Sequence, residues 1–175
     1  MSLPGLPTSK RSSRRPVIGV MGAGEGASPA DVAHARQLGE LIAREGWILL
    51  TGGRNVGVMQ AANEGAKQVA GSLTIGILPN RQAAVSPDVD VAIFTDLGAG
   101  RNNVNVLSSD VVIACGTGGP GTVSEIALAI KAGKPVILLG GSPAARAFWQ
   151  ELGEEMVCMT ETAEEAVASV RYWLR

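Results

Sequence analysis

Aromatic residues, cysteine and histidine are all scarce in this 175-residue sequence. Phe, Trp and Tyr make up 3% of the chain, so a hydrophobic core must come from aliphatic side chains and methionine. The two cysteines, Cys115 and Cys158, lie in apolar, strand-like runs, which favours buried thiols in a reducing compartment over a disulfide framework. We therefore expect a cytoplasmic protein. The single histidine, His34, has no cluster of His or Cys around it, so we expect no metal site.

The sequence also lacks long apolar runs and an excess of charge of one sign. No apolar run reaches the ~18 residues that a membrane helix needs, so we expect no contact with a membrane. The net charge of −1 and the pI of about 5.9 argue against a general nucleic-acid-binding surface. Residues 1–15 are polar and basic without the apolar segment of a secretory signal, which predicts a disordered tail, with a phosphate-binding arm as the alternative. A single domain is expected over residues 16–175.

Short apolar runs alternate with longer helical patterns through the rest of the chain. The run PVIGVMG, residues 16–22, is a predicted strand, and residues 28–46 are a predicted helix with Ser28 as N-cap and Pro29 in its first turn. Apolar strands separated by helices form parallel sheets that are covered on both faces. The pattern therefore predicts an α/β fold with a Rossmann-like, doubly wound sheet. The other predicted strands are 47–53, 73–79, 89–96, 110–115, 135–140 and 156–159, and the other predicted helices are 56–70, 101–110, 122–133, 144–152 and 162–174.

Glycine-rich loops follow three of the predicted strands: GAGEG at 22–26, TGG at 51–53 and GTGGPG at 116–121. In a parallel sheet such loops share the edge at which ligands bind. Glycine lets backbone N–H groups approach a ligand, and a helix N-terminus attracts anions, so the loops predict a phosphate site. The alternative is that these glycines only turn the chain tightly. The residues predicted to bind the ligand or its phosphate are Gly22, Gly24, Gly52, Gly53, Arg54, Arg101, Asn102, Thr117, Gly118, Gly119, Gly121 and Thr122.

The loop sequences do not match an NAD site or a P-loop. A dinucleotide-binding fold carries Asp or Glu at the end of its second strand, whereas this strand ends in LLTGG and is followed by Arg54. No glycine-rich loop ends in the Gly-Lys-Ser/Thr of a P-loop. We therefore expect neither NAD nor P-loop NTPase chemistry.

Glu125 and Arg101 each have a structural and a functional interpretation. The segment TVSE at 122–125 fits a capping box, in which Thr122 caps the helix and Glu125 bonds back to its N–H. Alternatively, the Glu125 carboxylate serves ligand binding or acid–base chemistry beside the phosphate. Arg101 is either a solvated surface residue or a bidentate phosphate ligand. The asparagines beside it either cap the helix or donate to the ligand, and they are Asn102, Asn103 and Asn105.

Two glycine motifs carry a resemblance to a known family. GGPGTVSE at 118–125 resembles the P-G-G-x-G-T-x-x-E signature of the LONELY GUY family, with Thr117 in place of its first proline. TGGRNVGVMQAA at 51–62 resembles that family's G-G-x-x-x-G-V-M motif, and the resemblance extends over most of 16–140. It implies a Rossmann-like fold and homodimers or larger assemblies.

The same resemblance implies site residues. The cytokinin-activating enzymes of that family cleave the N-glycosidic bond of a nucleoside 5′-monophosphate with an arginine and the motif glutamate. The matching residues here are Arg101 and Glu125. The segment GAGRNNVNVLSSD at 98–110 lacks the His and Lys of their Met-His-x-Arg-Lys segment. The run 101–125 is more similar to a short-chain branch that includes molybdenum-cofactor carrier proteins, which bind a pterin with a phosphate tail and perform no chemistry on it.

The resulting prediction is a binding or carrier protein for a phosphorylated, nucleotide-like ligand, with molybdenum cofactor as the first choice. The alternative is a phosphoribohydrolase that releases base and ribose 5-phosphate, with Arg101 and Glu125 as its catalytic residues. A regulatory nucleotide sensor is a third class. We expect a homodimer formed through the small-residue helix 56–70, with a contribution from 122–132.

Overall fold

The computed structural model describes residues 14–175, in which seven parallel strands form one sheet in the order β4-β3-β2-β1-β5-β6-β7. The register places Ile18 beside Leu49 of β2 and beside Val111 of β5. The predicted α/β, Rossmann-like fold is therefore confirmed. The strands are β1 (Val17–Gly22), β2 (Ile48–Thr51), β3 (Leu73–Leu78), β4 (Val91–Phe94), β5 (Val111–Cys115), β6 (Val136–Leu139) and β7 (Val157–Thr160).

Helices cover both faces of this sheet. They are α1 (Pro29–Arg44), α2 (Gly57–Ala66), α3 (Arg101–Ser108), α4 (Pro120–Lys131), α5 (Pro143–Gly153) and α6 (Ala163–Trp173), with short 3₁₀ helices at Gly98–Gly100 and Glu154–Met156. Helices α1, α2 and α6 bury apolar side chains against one face, and α3, α4 and α5 against the other. Each predicted strand and helix is present, with ends displaced by at most four residues.

Helices α1 and α2 approach so closely that only glycine fits at two contact points. A Cβ at Gly39 would overlap the carbonyl oxygen of Ala62, and a Cβ at Gly65 would overlap the carbonyl oxygen of Arg36. The small residues of α2 are buried by this contact. The surface that we expected to join two copies of the chain is therefore occupied within the chain itself.

Two basic residues precede β1 and bond to the folded chain. Residues 1–13 of the predicted tail lie outside the described part of the chain. Arg14 donates to Asp110 Oδ2 at 2.8 Å, and Arg15 Nε donates to the carbonyl of Gly46 at 2.7 Å. Within residues 14–175, no helix has both the length and the apolar character of a membrane span.

The order of the strands creates a crevice beside β1. From β1 the chain moves outward through β2 and β3 to β4, and then returns to place β5 on the other side of β1. The loops that leave β1 and β5 therefore lead to opposite halves of the sheet. Ligands of parallel sheets bind at such a switch point, outside the carboxyl ends of the strands.

Candidate functional site

A cavity of about 500 Å³ lies at this switch point. Its walls come from the loops that follow β1 and β2 and from the first turns of α3 and α4. All three glycine-rich loops contribute to this one cavity. Ten of the predicted ligand residues line it, namely Gly22, Gly24, Gly52, Arg54, Arg101, Asn102, Gly118, Gly119, Gly121 and Thr122.

The two remaining predicted residues, Gly53 and Thr117, lie outside the lining. Gly53 has a positive φ of 71°, and a Cβ there would lie 2.8 Å from the Cα of Gly76. Gly53 therefore allows the chain that follows β2 to pass close to β3. Thr117 packs instead against Gly141, where a Cβ would lie 3.0 Å from the Thr117 Cγ2.

Helix α4 begins with unpaired backbone amides at the cavity. Its N-cap is Gly119, with a φ of 96°, and its first residue is Pro120, so no side chain caps it. In contrast, Ser or Thr side chains cap the N-termini of α1, α5 and α6. Within residues 14–175, the amides of Gly119, Gly121 and Thr122 donate no hydrogen bond. Free donors and the positive end of the helix dipole therefore face the cavity.

Thr122 is not the N-cap that the sequence predicts, because α4 begins two residues earlier. Its Oγ1 donates to the carbonyl of Gly118 at 3.3 Å, inside the first turn of the helix. The signal for the true start was Pro120, since proline is favoured at the first helical position.

Arg101 lines the cavity with a partly buried side chain and is not a solvated surface arginine. Its Nη1 donates to the carbonyls of Gly52 at 3.0 Å and of Ile77 at 2.7 Å. Within residues 14–175, its Nη2 and Nε make no hydrogen bond, so they can meet an anion. Burial lowers the pKa of Arg101, and the charge of Arg54 acts in the same direction while that of Glu125 opposes it. The guanidinium nevertheless remains charged at neutral pH.

Arg54, in the loop after β2, supplies a second cation to the cavity. It lies near Glu25 in the loop after β1. Its side chain is 41% exposed and lies 3.8 Å from the carboxylate of Glu25, which is itself 86% exposed. An ion pair so open to water holds its partners weakly. Arg54 and Arg101 therefore place two positive charges in the lining, where they favour an anionic ligand.

Glu125 is the carboxylate of the lining. It is 6% exposed, and its Oε1 accepts a hydrogen bond of 2.8 Å from Asn105 Nδ2. Within residues 14–175, its Oε2 accepts no hydrogen bond. Burial raises the pKa of Glu125, while the Asn105 amide and the charge of Arg101 act in the opposite direction. The capping-box interpretation is therefore wrong, because the carboxylate bonds to α3 rather than to the start of its own helix.

The asparagines of α3 connect the two helices beside the cavity. Asn102 Nδ2 donates to Ser124 Oγ at 2.8 Å, and the buried Asn105 holds Glu125. Asn103 is exposed. The N-cap of α3 is Gly100, and no side chain caps this helix, so the capping interpretation of these asparagines is wrong.

Apolar side chains that the sequence reasoning did not single out complete the lining. They are Val20 and Met21 of β1 and Met59 of α2. Each lies at a strand end or helix start next to a glycine-rich loop, which is the signal that could have identified them. They are 0%, 2% and 6% exposed, so they form the packed base behind the cavity, where methionine can adapt its shape to a flat ring.

Cys115 packs beneath the site without lining the cavity. Its Sγ donates to the carbonyl of Asp31 at 3.2 Å, and burial raises the pKa of the Cys115 thiol to about 12. The thiol is therefore neutral and behaves as a small buried hydrophobe. Within residues 14–175, no group of three or more His, Cys, Asp or Glu side chains is arranged to hold a metal ion.

The chain is similar to proteins of known family and structure over most of its length. Residues 15–168 match the model of the SLOG cluster4 family. The chain is 54% identical to a molybdenum cofactor binding protein from Rippkaea orientalis, with a TM-score of 0.89 over 94% of this chain and 100% of that one. It is 48% identical to the Moco carrier protein from Chlamydomonas reinhardtii, with a TM-score of 0.86 over 92% and 98% of the two chains. A protein from Archaeoglobus fulgidus is 46% identical over 122 residues, which are 70% of this chain and 78% of that protein.

Proposed function

The chain belongs to the SLOG cluster4 family, and we propose that it binds and carries molybdenum cofactor. The observation that carries the proposal is the similarity over nearly the whole chain to structures of molybdenum cofactor binding and carrier proteins. The site supports it independently, because this ligand combines a flat pterin with a phosphate. The cavity has apolar walls for the ring and free amides and arginines for the anion.

In this proposal, the N-terminus of α4 and Arg101 bind the phosphate. The amides of Gly119, Gly121 and Thr122 donate to its oxygens, and Arg101 adds a charge-assisted hydrogen bond through the nitrogens that it does not use within the chain. The loops around Gly24 and Gly52 form the walls. The protein performs no chemistry on the ligand and instead shields it from water and oxidants.

The test is protection of the cofactor by the purified protein. Molybdenum cofactor released anaerobically from a donor enzyme is mixed with the protein, passed over a gel-filtration column, and then exposed to air. We expect the cofactor to co-elute with the protein and to outlast free cofactor, as measured by reconstitution of an apo-enzyme that requires it. Serum albumin at the same concentration is the control. Elution of the cofactor apart from the protein would contradict the proposal.

A second candidate function is the phosphoribohydrolase, which one observation favours. Glu125 is a buried carboxylate of raised pKa in the cavity, close enough to Arg101 for each charge to affect the other's pKa. Such a group can stabilise a cationic ribose or move a proton. Incubation with AMP, followed by assay of free adenine and ribose 5-phosphate, tests this function. Robust turnover that is lost in Glu125→Gln would replace the carrier proposal.

We also propose that the chain forms a homodimer or larger assembly. The edge strand β4 supports this, because Val91, Ile93 and Phe94 are 44%, 43% and 42% exposed. Light scattering at micromolar concentration should give at least twice the mass of 17.9 kDa, and a monomer would contradict the proposal.

We further propose a location in the cytoplasm. The two free cysteines, Cys115 and Cys158, support it because thiols stay reduced there, and cell fractionation would test it.

A further inference from the structure

The buried carboxylate of Glu125 has no task in the carrier function as described above. A carrier that performs no chemistry does not need an acid, and a negative charge disfavours an anionic ligand. Burying a carboxylate is also costly unless hydrogen-bond donors surround it. Asn105 supplies one donor to Oε1, and none of residues 14–175 supplies one to Oε2. The cavity therefore contains an acceptor that lacks donors, and a ligand can provide them.

Glu125 differs from the other polar side chains that line the cavity, because Asn102 and Thr122 can both donate and accept, whereas an ionised carboxylate only accepts. The backbone amides at the start of α4 and the guanidinium groups of Arg54 and Arg101 are donors only. Glu125 is the single carboxylate among the described lining residues. A complementary ligand thus has an anionic end and, elsewhere on the molecule, an edge of N–H donors.

The position of Glu125 sets the distance between these two ends. Gly119 precedes it by six residues of α4, which corresponds to a rise of about 9 Å along the helix. Gly119 is exposed, whereas Glu125 is buried. A ligand with its phosphate at the N-terminus of α4 can therefore extend inward and present the far edge of its ring system to the carboxylate.

The ring edges of candidate ligands differ in their donors. Pterins and guanine share a 2-amino-4-oxopyrimidine edge, in which the exocyclic amine and the adjacent ring N–H are two parallel donors. These match the two oxygens of a carboxylate. Adenine presents one donor beside a ring nitrogen that is an acceptor, and this acceptor would face a carboxylate oxygen without a proton between them.

We propose that Glu125 selects ligands by this edge, favouring the paired donors of pterins and guanine over the donor and acceptor of adenine. Asn105 acts as a positioning residue, because its amide fixes one carboxylate oxygen while the ligand bonds to both. This inference rests on the phosphate site of the proposed function. It assigns the ring specificity to one residue.

The test is the affinity of the full-length protein for 5′-GMP, 5′-IMP and 5′-AMP, measured by titration calorimetry at pH 8. A well-formed bidentate pair discriminates by about 1–3 kcal/mol, so we expect GMP to bind about 5- to 150-fold more tightly than AMP. IMP, which lacks the 2-amino group, should lie between them. In Glu125→Gln the ratio of GMP to AMP affinity should fall to near one, because the amide offers one donor and one acceptor. The exposed Glu151→Gln on α5 is the control and should keep the ratio.

The ratio of the GMP affinity to the AMP affinity is the informative quantity. A general loss of structure in Glu125→Gln would weaken the binding of both nucleotides equally and leave this ratio unchanged. Equal affinity for GMP and AMP in the native protein would overturn the inference. So would a ratio that Glu125→Gln leaves unchanged, or no binding of any of the three at millimolar concentration. Chromatography of each sample after titration excludes hydrolysis during the measurement.

Failure of this inference can be told from failure of the proposed function. Retention of molybdenum cofactor without a preference for GMP keeps the carrier function and removes the role of Glu125. A preference for GMP that depends on Glu125, without retention of molybdenum cofactor, keeps the role of Glu125 and changes the ligand.

Discussion

Replacing Gly39 by alanine should lower the free energy of unfolding by about 2–4 kcal/mol, although helix propensity favours the change. Gly39 lies within α1, where alanine would stabilise an isolated helix by about 1 kcal/mol. Its added Cβ, however, would overlap the carbonyl oxygen of Ala62 and lie 2.8 Å from its carbonyl carbon. These are backbone atoms, so α1 must move away from α2 and open the core between them. A fall in the free energy of unfolding would therefore show that helix packing dominates, and a rise would show that helix propensity dominates.

Thermal and denaturant unfolding of Gly39→Ala measure this effect. For a domain of this size, the expected loss corresponds to a fall in Tm of about 5–15 °C. Gly121→Ala is the matched control, since Gly121 is also helical and a Cβ there meets no atom within 4 Å. It should leave the stability unchanged or raise it by up to about 1 kcal/mol. Equal stability of the two variants would show that α1 and α2 are not packed as described.

The fold could be predicted from the sequence because local and long-range signals agree. Apolar runs closed by glycine or proline identified strands such as β1, predicted at 16–22 and observed at Val17–Gly22. Ser28 and Pro29 identified the start of α1. Such signals do not specify which surfaces meet. The small residues of α2 were interpreted as a contact between copies, because the sequence does not show that Gly39 and Gly65 bring α1 onto them.

The location of the cavity was predictable, but the bonds of its side chains were not. Loops after parallel strands must share an edge, so Gly24, Gly52 and Gly119 could be assigned to one cavity. The sequence TVSE at 122–125 fits a capping box by local spacing, yet Glu125 bonds to Asn105, 20 residues away. The partner of Glu125 is set by the packing of α4 against α3, and the spacing of residues within α4 does not reveal that packing.

Replacing Arg101 by alanine should weaken binding of molybdenum cofactor and of 5′-GMP by about 100-fold. Arg101 is partly buried, and its two hydrogen bonds to the carbonyls of Gly52 and Ile77 hold the guanidinium in place before a ligand arrives. An anion that meets it is therefore bound by a charge whose orientation has already been fixed. Arg54 is more exposed and pairs only loosely with Glu25 at 3.8 Å, so it cannot replace that contribution.

Arg101→Lys distinguishes the charge from its geometry. Lysine keeps the positive charge but cannot bond to two carbonyls and to an anion through one planar group, so we expect affinity about tenfold below that of the native protein. Arg81→Ala, at an exposed position outside the lining, should leave the affinity unchanged. Melting temperatures of all three variants show whether lost binding reflects lost structure, because Arg101 also ties α3 to the ends of β2 and β3. Native affinity in a folded Arg101→Ala would mean that the amides of α4 bind the anion alone.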